Sequence, residues 1–99
     1  MVVLSLIKKA YFLNPKESNY LFNIGKTYQI LNNHKEAILW FEKGISLQPD
    51  NLEVLNDLAV SYSMIGEIEK AKFILNEILK KNKNFKPAID NLKMLEKLK

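Results

Sequence analysis

Apolar residues recur along the chain in short stripes at helical spacing, and the stripes are interrupted at regular places. Leu21, Ile24, Tyr28 and Leu31 form one stripe, and Ala37, Ile38, Phe41, Ile45 and Leu47 form the next. Steps of three and four residues place each set on one face of a helix. Asn32-Asn33 and Gly66 break the pattern between neighbouring stripes, and Gln48-Pro49-Asp50-Asn51 breaks it again; Gly, Pro and Asn are the residues that turns favour. The spacing predicts helices near 2–13, 18–31, 35–47, 52–65, 68–81 and 86–98. At about 1.5 Å per residue each is roughly 18–21 Å long.

The stripes repeat. Displacing the sequence by 34 residues lays Leu13 on Leu47, Pro15 on Pro49, Leu21 on Leu55, Tyr28 on Tyr62 and Ala37 on Ala71. Ile24 meets Leu58, Gly25 meets Ala59, Ile45 meets Leu79, and Ile7, Phe41 and Leu75 run through three units. A period of this length is the mark of a solenoid, in which each unit is one helix pair that buries its apolar face against its neighbours. Small residues at Gly25 and Ala59, and at Ala37 and Ala71, let paired helices approach to about 8–10 Å, with Tyr28 and Tyr62 filling the wedge beside them.

These residues resemble the tetratricopeptide repeat (TPR) signature of W-x2-L-G-x2-Y, then A-x3-F, then P. Leu21, Ile24-Gly25, Tyr28, Ala37, Phe41 and Pro49 follow it in one unit, and Leu55, Leu58-Ala59, Tyr62, Ala71 and Leu75 in the next. Leucine replaces the tryptophan in both, and Lys83 stands where the second proline would fall. The resemblance implies an all-α fold, a right-handed α-solenoid of antiparallel helix pairs. It has two full repeats at 18–51 and 52–85, a partial repeat at 1–17 and a capping helix at 86–99, all in a single domain over 1–99.

The two ends differ from the middle. Residues 1–15 match the second helix of a unit whose first helix is absent, and Val2, Leu4, Leu6 and Phe12 add apolar surface beyond the inward stripe. Either preceding sequence or another molecule is expected to cover that face, and Val2, Leu6 and Phe12 are the candidates for self-association into a homodimer. The last helix carries Pro87 at an early position, which suits a helix start. Lys93 and Glu96 replace the small residue and the tyrosine there, the polar substitution expected of a cap that ends the array.

Composition narrows the function. A hydrophobic fraction of 47% with 26% charged residues is that of a folded globular chain. Cysteine is absent, which excludes disulfides and thiolate chemistry. The apolar start comes before Lys8-Lys9, the reverse of a secretory signal, and no run approaches the ~20 residues that span a bilayer. The expected compartment is the cytoplasm. All fifteen cations are lysine, with seven against two acids over 80–99. Without arginine for bidentate reading of guanine or phosphate, sequence-specific nucleic-acid binding is not expected, and a solvated lysine surface accounts for the charge.

Catalytic chemistry finds no constellation. His34 is the single histidine, and one His without clustered carboxylates makes neither a metal site nor an acid–base pair. Trp40, on a second helix, is read as a packing residue or one partly exposed on the outer face. No cofactor, metal or enzymatic activity is expected.

The TPR resemblance implies instead that a peptide or protein partner binds in a concave groove lined by the first helices of the units. The polar or variable residues beside their core stripes are Asn19, Phe22, Asn23, Lys26, Gln29 and Ile30 in one unit. Glu53, Asn56, Asp57, Val60, Ser63 and Met64 are their counterparts in the next, and Asp90, Asn91 and Met94 extend the line. Asn23, Asp57 and Asn91 recur at the repeat period, with groups able to bond an extended peptide backbone, while Phe22, Ile30, Val60 and Met64 offer apolar contacts. Some TPR domains clamp the C-terminal carboxylates of chaperones. Of the matching positions only Lys26 suits an anion, because Phe22 and Asp57 stand where a cation and a neutral amide are wanted.

Overall fold

The computed structural model describes residues 18–98, which form five helices and, among those residues, no strand. They are α1 (Ser18–Ile30), α2 (His34–Leu47), α3 (Leu52–Met64), α4 (Ile68–Lys81) and α5 (Lys86–Glu96). Each lies within two residues of its expected bounds. The expected helix over 2–13, with Val2, Leu6 and Phe12, lies outside the described residues. Packing divides the chain between Asn51 and Leu52 into two units, the first holding α1 and α2, the second α3, α4 and α5.

In the first unit Leu21, Ile24 and Trp40 form a buried cluster with Tyr28 packed against it, and Phe41 is fully buried. Two close approaches hold the pair together. A Cβ added to Gly25 of α1 would stand 2.6 Å from Cδ1 of Phe41 on α2, and one added to Gly44 of α2 would stand 2.4 Å from Cε1 of Phe22 on α1. Each helix thus lays a phenylalanine ring over a glycine of the other. Phe22, expected to offer a surface contact, is a core residue for this reason, and is only 7% exposed. The ammonium of Lys43 sits 4.4 Å from the centre of the Trp40 ring, a cation–π contact that covers the solvent side of a buried indole.

The second unit solves the same packing problem with different volumes. Ala59 and Leu75 stand where Gly25 and Phe41 stand, and Asn56 and Ile78 where Phe22 and Gly44 stand. Bulk removed from one helix of the pair is restored on the other, as close packing requires. Ala59, Ala71, Leu75, Ile78, Ala88 and Leu95 make the buried cluster, flanked by Leu55, Tyr62 and Leu92 among others. Leu31 and Leu47, expected on the inward stripes, are about half exposed, because each falls at or past the last turn of its helix.

The turn inside each pair recurs bond for bond. Asn32 has φ 62° and Gly66 φ 88°, both left-handed. The amide of Asn33 donates to the Tyr28 carbonyl oxygen at 2.9 Å and that of Asn32 to Gln29 at 3.0 Å; Glu67 donates to Tyr62 at 2.9 Å and Gly66 to Ser63 at 3.1 Å. This crossed pair is the Schellman ending, which satisfies carbonyls left open at a helix C-terminus. The next helix then starts at once, with Ala37 and Ala71 donating to the carbonyls of Asn33 and Glu67.

Candidate functional site

The second unit carries a recess of about 120 Å³ lined by Ala59, Val60, Ser63 and Met64 of α3, Leu75 of α4, and Asn91, Met94 and Leu95 of α5. It opens where the short side chains of Ala59 and Ser63 face α5. The floor is buried core, Ala59, Leu75 and Leu95, while Met64 and Met94 are 61% and 65% exposed.

One hydrogen bond ties the two helices together beside it. Asn91 Nδ2 donates to Asn56 Oδ1 at 3.0 Å. Asn56 is buried, so the bond compensates an amide that would otherwise have been removed from water without a partner. The residue expected at a peptide surface is therefore buried in a hydrogen bond that links α3 to α5. Ser63 Oγ donates to the Val60 carbonyl oxygen at 2.7 Å. Asp57 is half-buried on α3 and Glu53 is exposed. Asp90 is exposed and accepts from Lys86 Nζ at 3.0 Å.

Of the expected site residues, the recess brings Val60, Ser63, Met64, Asn91 and Met94 together, with Asn56 behind them. It adds Ala59, Leu75 and Leu95, buried core residues at its floor that helical periodicity marks only as core. Met94, expected on this line, is Val60 displaced by one period.

In the first unit, Asn19, Asn23, Lys26 and Ile30 are exposed on α1, Ile30 to 76%, and Gln29 is half-buried. The Asn23 backbone carbonyl oxygen accepts from Thr27 Oγ1 at 2.9 Å. Phe22 is withdrawn from this face by its packing on Gly44.

Among the described residues no group of three or more His, Cys, Asp or Glu is placed to hold a metal ion. No helix among them is long and apolar enough to cross a membrane.

The sequence profile of the tetratricopeptide repeat matches residues 5–94. The chain is 32% identical over 89 residues to the tetratricopeptide repeat-containing protein trd-1 of Caenorhabditis elegans, covering 90% of this chain and 12% of that protein. The chain thus spans about an eighth of that relative's length. Among solved structures, the first TPR of Spaghetti (RPAP3) bound to the HSP90 peptide SRMEEVD superposes with a TM-score of 0.90 at 15% identity, over 96% of this chain and 75% of that one. The second TPR domain of human RPAP3 in complex with the HSP70 peptide SGPTIEEVD gives 0.88 at 14% identity, over 94% and 78%. At these identities the likeness is one of fold, the all-α architecture of TPR helix pairs. The profile match, the relative and the shared architecture agree: this chain belongs to the tetratricopeptide repeat family.

Proposed function

We propose that the chain is a protein–protein interaction module that takes up a segment of a partner along the exposed faces of α3 and α5. The observation that carries this reading is the recess beside the Asn56–Asn91 bridge, a preformed apolar hollow with the Asn91 amide and the Ser63 hydroxyl in its lining. Pockets that bind side chains combine apolar walls with a few placed polar groups in this way. The solved TPR domains it resembles bind HSP90 and HSP70 peptides, which supports peptide uptake as the activity. Their ligand is not carried over, since Phe22 is buried and Asp57 is acidic at positions where an anion would need a donor. On α1 the same register presents Asn23, Lys26 and Ile30.

Selection of phage-displayed random peptides on the immobilised chain tests the reading, with counter-selection on Val60→Glu, Met64→Glu. Peptides should enrich on the native chain and fail on the variant, while the circular dichroism of the variant stays helical. Equal enrichment on both would move the binding face elsewhere, and no enrichment on either would remove the reading.

A further inference from the structure

Sulfur in this chain is confined to methionine: there is no cysteine, and there are three methionines. Two of them, Met64 at the end of α3 and Met94 on α5, line the same recess. They are 61% and 65% exposed, while the floor beneath them, Ala59, Leu75 and Leu95, is buried. The third, Met1, lies outside the described residues. The recess thus presents an oxidant with reachable thioethers and with inert hydrocarbon behind them. Trp40, another oxidisable side chain, is buried and has the Lys43 ammonium over its ring.

The repeat shows that these two positions ask for apolar bulk and not for sulfur. Ile30 on α1 precedes Met64 by one period, and Val60 on α3 precedes Met94 by one period. Branched aliphatic residues fill the equivalent places, and they carry no group that a peroxide attacks. Oxidation to the sulfoxide turns a flexible apolar side chain into a polar one and puts a strong acceptor into the lining. An apolar ligand group would then cover the sulfoxide oxygen without pairing it, and burying an unpaired polar group is costly. Neither methionine belongs to the buried core cluster of α3, α4 and α5, so the modification is expected to change the site and to leave the helices intact.

We propose that Met64 and Met94 form a reversible oxidation site, at which a hydroperoxide closes the recess to its ligand by converting both thioethers to sulfoxides. This rests on the peptide-binding reading and names the regulation of that site. A lone pair of the sulfur takes the terminal peroxide oxygen. The O–O bond breaks as the S–O bond forms, and a proton passes to the leaving oxygen, which departs as water from hydrogen peroxide or as an alcohol from an organic hydroperoxide. The sulfur is oxidised and the peroxide reduced by the same electron pair. Methionine sulfoxide reductases reverse the step with a thiol reductant, which becomes a disulfide while the oxygen leaves as water. Each sulfoxide epimer has its own reductase, so full recovery needs both.

The test uses the full chain, treated with hydrogen peroxide and then with catalase, and a synthetic peptide from the phage selection as the probe. Peptide mass mapping should find one added oxygen on Met64 and one on Met94, each formed at a rate within about threefold of free methionine. Peptide affinity should fall about tenfold or more, the circular dichroism should stay helical, and reductases of both epimer specificities should restore the affinity. Met64→Ile with Met94→Val, which borrows the residues of the equivalent positions, is compared with itself before and after peroxide, and its affinity should not change. Slow oxidation of either sulfur would overturn the inference. An oxidised chain that binds as before would do the same, as would a loss of binding that the reductases do not reverse, that comes with lost helicity, or that is equal in the variant. Each of these results leaves the peptide-binding reading intact, whereas failure of the phage selection to enrich any peptide would remove the two together.

Discussion

Gly25 and Gly44 are helix-interior glycines, each costing about 1 kcal/mol against alanine in intrinsic propensity. Their retention is explained by the rings of Phe41 and Phe22, which would lie 2.6 and 2.4 Å from an added Cβ. Overpacking a core typically costs ~1–3 kcal/mol, so Gly25→Ala is expected to be net destabilising by about 1 kcal/mol after the propensity gain. Gly44→Ala should behave alike, and pairing it with Phe22→Leu should recover part of the loss. Urea unfolding of the two single variants and the pair measures this; full additivity would show that the ring contact is not the cause. Phe41→Ala, at a fully buried site, is expected to cost ~3–5 kcal/mol.

At the scale of elements, the repeated turn makes a prediction of its own. Asn32 holds φ 62° where its equivalent is Gly66, and a left-handed conformation costs a residue with a Cβ roughly 1–2 kcal/mol, less for asparagine. Asn32→Gly should therefore raise the midpoint of thermal unfolding slightly, and Gly66→Ala should lower it by the equivalent of about 1 kcal/mol although open space surrounds that site. Differential scanning calorimetry reads both. The Asn56–Asn91 bridge joins α3 to α5. Asn91→Ala alone strands a buried amide and should cost ~1–3 kcal/mol. A double-mutant cycle with Asn56→Ala should show a coupling near 1 kcal/mol, and a coupling of zero would mean that the helices keep their spacing by apolar packing alone.

For the molecule as a whole, the charge pattern sets which ligands are refused. Asp57 stands half-buried on α3 and Phe22 is buried in α1, so the positions of a carboxylate clamp hold one anion and one ring. Peptides that depend on a free C-terminal carboxylate should bind weakly or not at all. Isothermal titration with such a peptide and its amide checks this, and tight binding lost on amidation would contradict it. The net charge of +4 and the lysine-rich stretch at 80–99 should show as a modest salt dependence for acidic ligands, since exposed charges are screened over about 10 Å at 0.1 M salt.

How far the sequence reaches follows from the range of the forces involved. Helix bounds, the helix pairing and the family were legible because periodicity, turn residues and the 34-residue repeat are local signals written twice. The outward-facing character of Asn23, Lys26, Ile30 and Met64 was legible for the same reason. Phe22 was not, because whether a large residue beside the core stripe turns in or out depends on the volume opposite, and Gly44 supplies that room from another helix. Asn56 was not, because its burial is compensated by Asn91, 35 residues away. The recess itself belongs to neither α3 nor α5. It exists because short side chains on one helix meet a neighbour whose methionine and leucine do not fill the gap, and packing between helices, unlike helix formation, is decided only when the surfaces are brought together.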